Sequence, residues 1–337
     1  DTMAIECSYY IEDLDSRELP RRFLEAFAAI LSHSNYAPLL DAASRAGLRC
    51  SSCAVTCPVY QASGDRRDIP CDRSALLLEV YRRYFTLRGN LSARFGKSFV
   101  LTEEHINTMA EEFYRCTACR RCKKECPLGI DHALITRLGR WILGEVGITP
   151  KALVVATREQ LEGDTHNTSA IPAAAMKDTC EFLEEDCADE HGLKIEFPVD
   201  DEGAEHVFFP AVSDYLLEPD TLRGNAAVMK ATGGSWTSGS KNFDGINYGL
   251  YDSDRLLGRI VSAEVDEVRR LKGKKILVGE CGHASRSAKA FVPTFGGQDP
   301  PPVVTIMEST YDQWKAGPLK LNPGVIKERV TYHDPCN

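Results

Sequence analysis

Apolar and polar positions recur along this chain with two different periods. In "RSALLLEVYRRYF" the apolar residues fall at Leu76, Leu77, Val80, Tyr81 and Tyr84, and in "TEEHINTMAEEFYR" at Ile106, Met109, Ala110 and Phe113. Steps of three and four place each set on one side of a helix. "LPRRFLEAFAAIL" upstream has the same period, and Asp131 opens a further helix, "HALITRLGRWIL". The pattern predicts an all-helical domain over residues 1–150.

Residues 151–205 read as a connector, helical in "ALVVATREQLEG" and "PAAAMKDTCEFLEED" and acidic in "PVDDEGAE". From His206 short apolar runs alternate with amphipathic helices: "HVFFP", "KKILVGE", "PVVTIM" and "ERVTYHD" supply the strands. That alternation predicts an α/β layered domain over 206–337, so the fold class is α + α/β. The glycines of "GGSWTSG" do not lead a strand directly into a helix, which gives a dinucleotide site little support.

At 337 residues the chain is long enough for two cores, and its 43% hydrophobic and 26% charged composition is that of a globular protein. A net charge of -9 argues against a surface that tracks nucleic-acid phosphates or anionic lipid without help. The basic run Arg120, Arg121, Lys123, Lys124 is local and reads as a solvated face or a docking patch for an acidic partner. No window approaches the roughly 20 apolar residues that span a bilayer. The N-terminus lacks the features of a secretion signal. The start without methionine and the end at "YHDPCN", inside an expected element, read as those of a fragment.

Thirteen cysteines change the picture, because seven fall in two short clusters. Such spacing favours metal binding over disulfides and a reducing compartment. In "CTACRRCKKECPLG", Cys116, Cys119, Cys122 and Cys126 carry the spacing C-x2-C-x2-C-x3-C-P of bacterial ferredoxins. Three such thiolates wrap one [4Fe-4S] cubane and the fourth points to a second; zinc normally takes two separated pairs instead.

"CSSCAVTCPVY" is the same run with one ligand missing: Cys57, Cys53 and Cys50 align with the last three cysteines, and the first falls on Gly47. Exchange of fourth ligands then gives one set of Cys116, Cys119, Cys122 and Cys57, and a second of Cys50, Cys53 and Cys126. Cys71, after a polar loop and before a helix that Asp72 could cap, is the nearest candidate to complete the second set. Its alternative is a buried free cysteine, which would leave a three-iron cluster or one with an exchangeable iron. Cys7 is a weaker candidate. Cys180 and Cys187 read as packing or surface cysteines.

"AEHVFFPAVSDYL" and "KERVTYHDPCN" look like two openings of one repeat, with Ala211 and Cys336 at the ligand position. With "GECGHASR", they make the chain resemble the heterodisulfide reductase D and glycerol-3-phosphate dehydrogenase C family, within it the DsrK-type branch that includes TmcB and HmcF. The resemblance implies a helical two-cluster ferredoxin domain followed by a CCG-type domain with a non-cubane [4Fe-4S] centre where a disulfide is cleaved. Cys336, and Cys281 with it, would serve that centre, the double cysteine lying beyond Asn337. Ala211 and "SKNFDGINYG" depart from a complete first repeat, so one such centre is expected.

The resemblance further implies a quinol-oxidising cytochrome b-type membrane partner (DsrM-like), a small sulfur-carrier substrate (DsrC-like), sulfate reduction as the setting, and a cytoplasmic position at the membrane through partner subunits. Disulfide cleavage takes two electrons and releases thiolates that need protons, which His283 and His333 could supply. Two other readings stay open: a subunit carrying electrons from a flavoprotein dehydrogenase to quinone, and an electron wire without catalysis.

Overall fold

The computed structural model describes residues 18–46, 50–95 and 99–331, and the chain divides into two compact units. The first runs to Val154 and includes Leu250–Asp254; the second comprises the rest.

The first unit is helical: α1 (Leu19–Ser32), α2 (Tyr36–Ala46), α3 (Pro58–Ser63), α4 (Pro70–Tyr84), α5 (Leu87–Ala93), α6 (Glu103–Tyr114), α7 (Arg121–Glu125) and α8 (His132–Glu145). The three-and-four spacing read from the sequence becomes burial, with Leu77, Val80, Ile106, Phe113, Ile135 and Leu138 in one core. Each such side chain contributes about 1.5–3 kcal/mol on leaving water. Helix α8 crosses α6 closely because Gly139 faces the Phe113 ring; a Cβ there would lie 2.1 Å from a ring carbon. These contacts hold the loops that carry the cysteines.

Helix α9 (Lys151–Glu162) leads on to α10 (Ala173–His191), and the second unit continues with β1 (His206–Phe209), α11 (Val212–Leu216), α12 (Pro219–Thr232), β2 (Trp236–Ser238), α13 (Asp254–Arg270), β3 (Lys275–Val278), α14 (Gly282–Phe295), β4 (Val303–Thr305) and α15 (Ile306–Ala316). The four strands form one parallel sheet in the order β2-β1-β3-β4. Val207, Phe208, Ile276 and Leu277 are buried, as parallel strands covered on both faces require.

Three expectations change here. The segment 151–205 is not a solvated connector throughout: Met176, Cys180, Leu183 and Cys187 of α10 pack with Phe208 and Leu277. A helix with an apolar stripe is drawn onto the sheet that would otherwise expose its own. Strand β2 lies in "GGSWTSG", too short and polar to show a period. Residues 328–331 of "ERVTYHD" form no strand and are exposed. Gly47, Cys7, His333 and Cys336 lie outside the described residues.

Candidate functional site

The two cysteine runs adopt one backbone form. Ser51 and Arg120 are both left-handed, at φ 60° and 61°, and each is followed by a single helical turn that carries Cys53 or Cys122. Cys57 (φ -78°, ψ 112°) and Cys126 (φ -72°, ψ 118°) then leave in extended conformation ahead of a proline. Equal spacing has produced equal turns, and the two turns pack on each other.

Cys57, Cys116, Cys119 and Cys122 line one cavity with Arg73, Arg120, His132 and Thr136. Cys57 thus joins the three cysteines of the other run. Burial pushes the Cys122 thiol up to about 12. The Ala118 N–H donates to Cys116 Sγ at 3.4 Å.

On the far side of Cys122, a buried cluster holds Cys53, Cys71, Ile69 and Ala133. The pairing of these two sulfurs raises Cys53 and pulls Cys71 down to about 6. Cys71 is not ahead of its helix: Pro70 occupies the first position of α4, where its missing N–H costs nothing, so Cys71 falls in the first turn. Asp72 makes no cap and pairs instead with Arg66 at 3.2 Å. Cys50 is exposed, its sulfur 3.3 Å from Ser52 Oγ, and this contact lowers its pKa. Cys126 is partly buried.

Three arginines stand at or near the cavity. Arg73 pairs with Asp68 at 3.1 Å, both buried, and Arg120 pairs with Asp131. Arg140, fully buried, donates from Nε to the Phe113 carbonyl at 2.9 Å and also to the Cys116 carbonyl. Its guanidinium lies between the Tyr114 and Tyr251 rings, 5.3 Å from each centroid. Ser74 Oγ donates to the Cys71 carbonyl and accepts from His132 Nδ1 at 2.8 Å. Burial lowers His132 to about 4, so it stays neutral.

Four cysteine sulfurs around a cavity that Arg73 and Arg120 also line suit an anionic iron-sulfur cluster. Among the described residues, no three histidine, cysteine or carboxylate side chains could hold a single metal ion. A cluster spaces its thiolates farther apart, with its own iron and sulfide between them.

The second unit offers a crevice at the carboxyl ends of β1 and β3, where the chain turns from one side of the sheet to the other and α/β folds bind ligands. The strand ends come close: a Cβ on Gly279 would meet Pro210 Cα at 3.2 Å. Ala211, Asp244, Tyr248, Glu264 and Cys281 line it. Cys281 is the N-cap of α14, its sulfur accepting from Ala284 N at 3.5 Å, while burial pushes its thiol up. Burial also raises Asp244 to about 6 and Glu264 well above its ordinary value. Asp214 rises to about 8 through burial and the neighbouring Glu280 carboxyl. Periodicity could not reveal these carboxyls, which come from separate elements. His283 lies in the first turn of α14 and does not line the crevice.

A 4Fe-4S dicluster domain model matches residues 48–130. The Hdr-like menaquinol oxidoreductase iron-sulfur subunit 2 of Archaeoglobus fulgidus is 26% identical over 329 residues, covering 86% of this chain and 59% of that protein. The D polypeptide of the dihydromethanophenazine:CoB--CoM heterodisulfide reductase of Methanosarcina barkeri is 26% identical over 300 residues, covering 86% of this chain and 68% of that one. The glycolate oxidase iron-sulfur subunit of Escherichia coli is 33% identical over 103 residues, 31% of this chain and 21% of its own. The chain spans 59% of the length of the first two relatives it matches. No solved structure matches it significantly.

Proposed function

The chain belongs to the heterodisulfide reductase D-like family of iron-sulfur subunits, and from that premise we propose that it carries electrons between a quinol-oxidising membrane partner and a sulfur substrate. The observation behind this reading is the cavity that Cys57 shares with Cys116, Cys119 and Cys122. These residues are assigned to one [4Fe-4S] centre, and Cys50, Cys53, Cys71 and Cys126 to a second. A bound [4Fe-4S] centre supplies one-electron transfer.

The protein supplies the field. Arg73, Arg120 and Arg140 favour the more negative, reduced state, and the buried packing of Cys53, Cys71 and Cys122 keeps water away. In the second unit, the reading places disulfide or trisulfide reduction at a non-cubane centre served by Cys281 and Cys336, in a CCG-type domain. The Asp214 carboxyl, raised to about 8 mainly by burial, is a local proton source for a departing thiolate. His283 and His333 keep the proton-donor role expected from the sequence. The proposed partners are a cytochrome b-type, DsrM-like subunit and a DsrC-like sulfur carrier, with the chain peripheral on the cytoplasmic face of the membrane.

Ala211, which lines the crevice with Cys281 as its one cysteine among the described residues, favours a second reading in which this unit only conducts or docks. Low-temperature EPR of the anaerobically purified protein tests the first assignment. Cys57→Ala and Cys116→Ala should remove the same signal, and Cys126→Ala a different one; if Cys57→Ala instead removed the Cys126 signal, the exchange of ligands would be wrong. Turnover of a sulfur-carrier disulfide, present or absent, then separates the two readings.

A further inference from the structure

Helix α5 carries its apolar residues on the wrong side for a globular protein. Leu87, Leu91 and Phe95 follow at four-residue steps, and Arg94 continues the helical backbone at φ -71°, ψ -18°, so the three share one side. They are 85%, 58% and 87% exposed. The orientation is fixed from beneath: Gly89 sits on the end of α4, where a Cβ would lie 2.0 Å from the Arg82 carbonyl oxygen. Thr86 Oγ1 accepts from Gly89 N at 3.1 Å and donates to Arg82 O at 2.6 Å. The small face of α5 is therefore pinned inward and the large apolar face outward, the reverse of an ordinary surface helix.

Charge identifies what meets this face. From Val80 to Thr102 the sequence has no acidic residue and carries Arg82, Arg83, Arg88, Arg94 and Lys97, within a chain whose net charge is -9. Arg88 and Arg94 are exposed and flank the apolar stripe. Apolar side chains between arginines match the boundary of an anionic lipid layer, where long cationic side chains reach the headgroups while their neighbours enter the acyl region.

We propose that the α5 face, built on Leu87, Leu91 and Phe95 and flanked by Arg88 and Arg94, rests directly on an anionic phospholipid surface. Vesicle flotation of the anaerobically purified chain tests it, using phosphatidylcholine alone and phosphatidylcholine with phosphatidylglycerol at three to one. The protein should float with the anionic vesicles only, and less so as salt rises. Arg88→Gln and Arg94→Gln should each weaken binding about fivefold. Leu87→Ser with Phe95→Ser should abolish it, while iron content stays at the wild-type level as the sign of an intact fold. Absence of flotation, or flotation indifferent to these variants, overturns the proposal. Binding only to vesicles that contain a membrane-protein partner also overturns it and gives the face to that protein.

Discussion

Cys71 packs with Cys53 in one buried cluster, although the two residues belong to separate turns. The contact brings Cys71 to the run that lacks a cysteine at Gly47. Cys71→Ala should therefore cost at least the one iron it would ligate, leaving a three-iron centre, and about half the bound iron where that cubane is lost whole. Cys180→Ala, in the core of the second unit, should leave iron unchanged. Iron and sulfide analysis of the two variants side by side decides it; full iron in Cys71→Ala would make this cysteine a packing residue.

Arg140 is a buried cation hydrogen-bonded to the carbonyl of the first cysteine in the complete run. Removing its charge destabilises the more negative, reduced state of a neighbouring centre. Arg140→Met should lower that centre's midpoint potential by tens of millivolts, on the order of 59 mV per tenfold change for one electron. A redox titration followed by EPR reads the shift, and an unchanged potential would confine Arg140 to bracing the loop.

Gly139 and Phe113 set the spacing of α8 and α6. A methyl group added at Gly139 meets the ring rather than open space, so Gly139→Ala should destabilise the helical unit by about 1–3 kcal/mol despite alanine's better helix propensity. Denaturant unfolding measures this. Gly224→Ala, on α12 with nothing within 4 Å of the added methyl, should not share the loss.

Asp244 accepts from Thr168 Oγ1 at 2.6 Å, and burial raises its carboxyl from 3.8 to about 6. The folded state then holds a proton that the unfolded state has released. Its contribution to stability is fully present below the unfolded value and is lost as pH rises through about 6. Asp244→Asn should gain stability relative to wild type over that interval, on the order of 1–3 kcal/mol. Melting temperatures at matched pH values test the slope, and a constant difference between the two proteins would show that Asp244 does not titrate there.

The helical core was legible because Leu77, Ile106 and Phe113 repeat at helix spacing, and so were the paired cysteine turns, since reach alone limits how such spacing can fold. Strand β2 was hidden because Trp236–Ser238 is too short to display alternation. The role of α10 was obscured by its many charges, while its buried stripe of Met176, Cys180, Leu183 and Cys187 became clear only against the sheet. The carboxyls of the second crevice converge from different elements, and no local pattern announces such a meeting.

The entry of Cys57 into the wall formed by Cys116, Cys119 and Cys122 has a mechanical consequence. The first loop lends a wall residue to the cavity of the second run, like a hook set in a neighbouring frame. Opening the first loop should therefore disturb the wall of the neighbouring cavity as well.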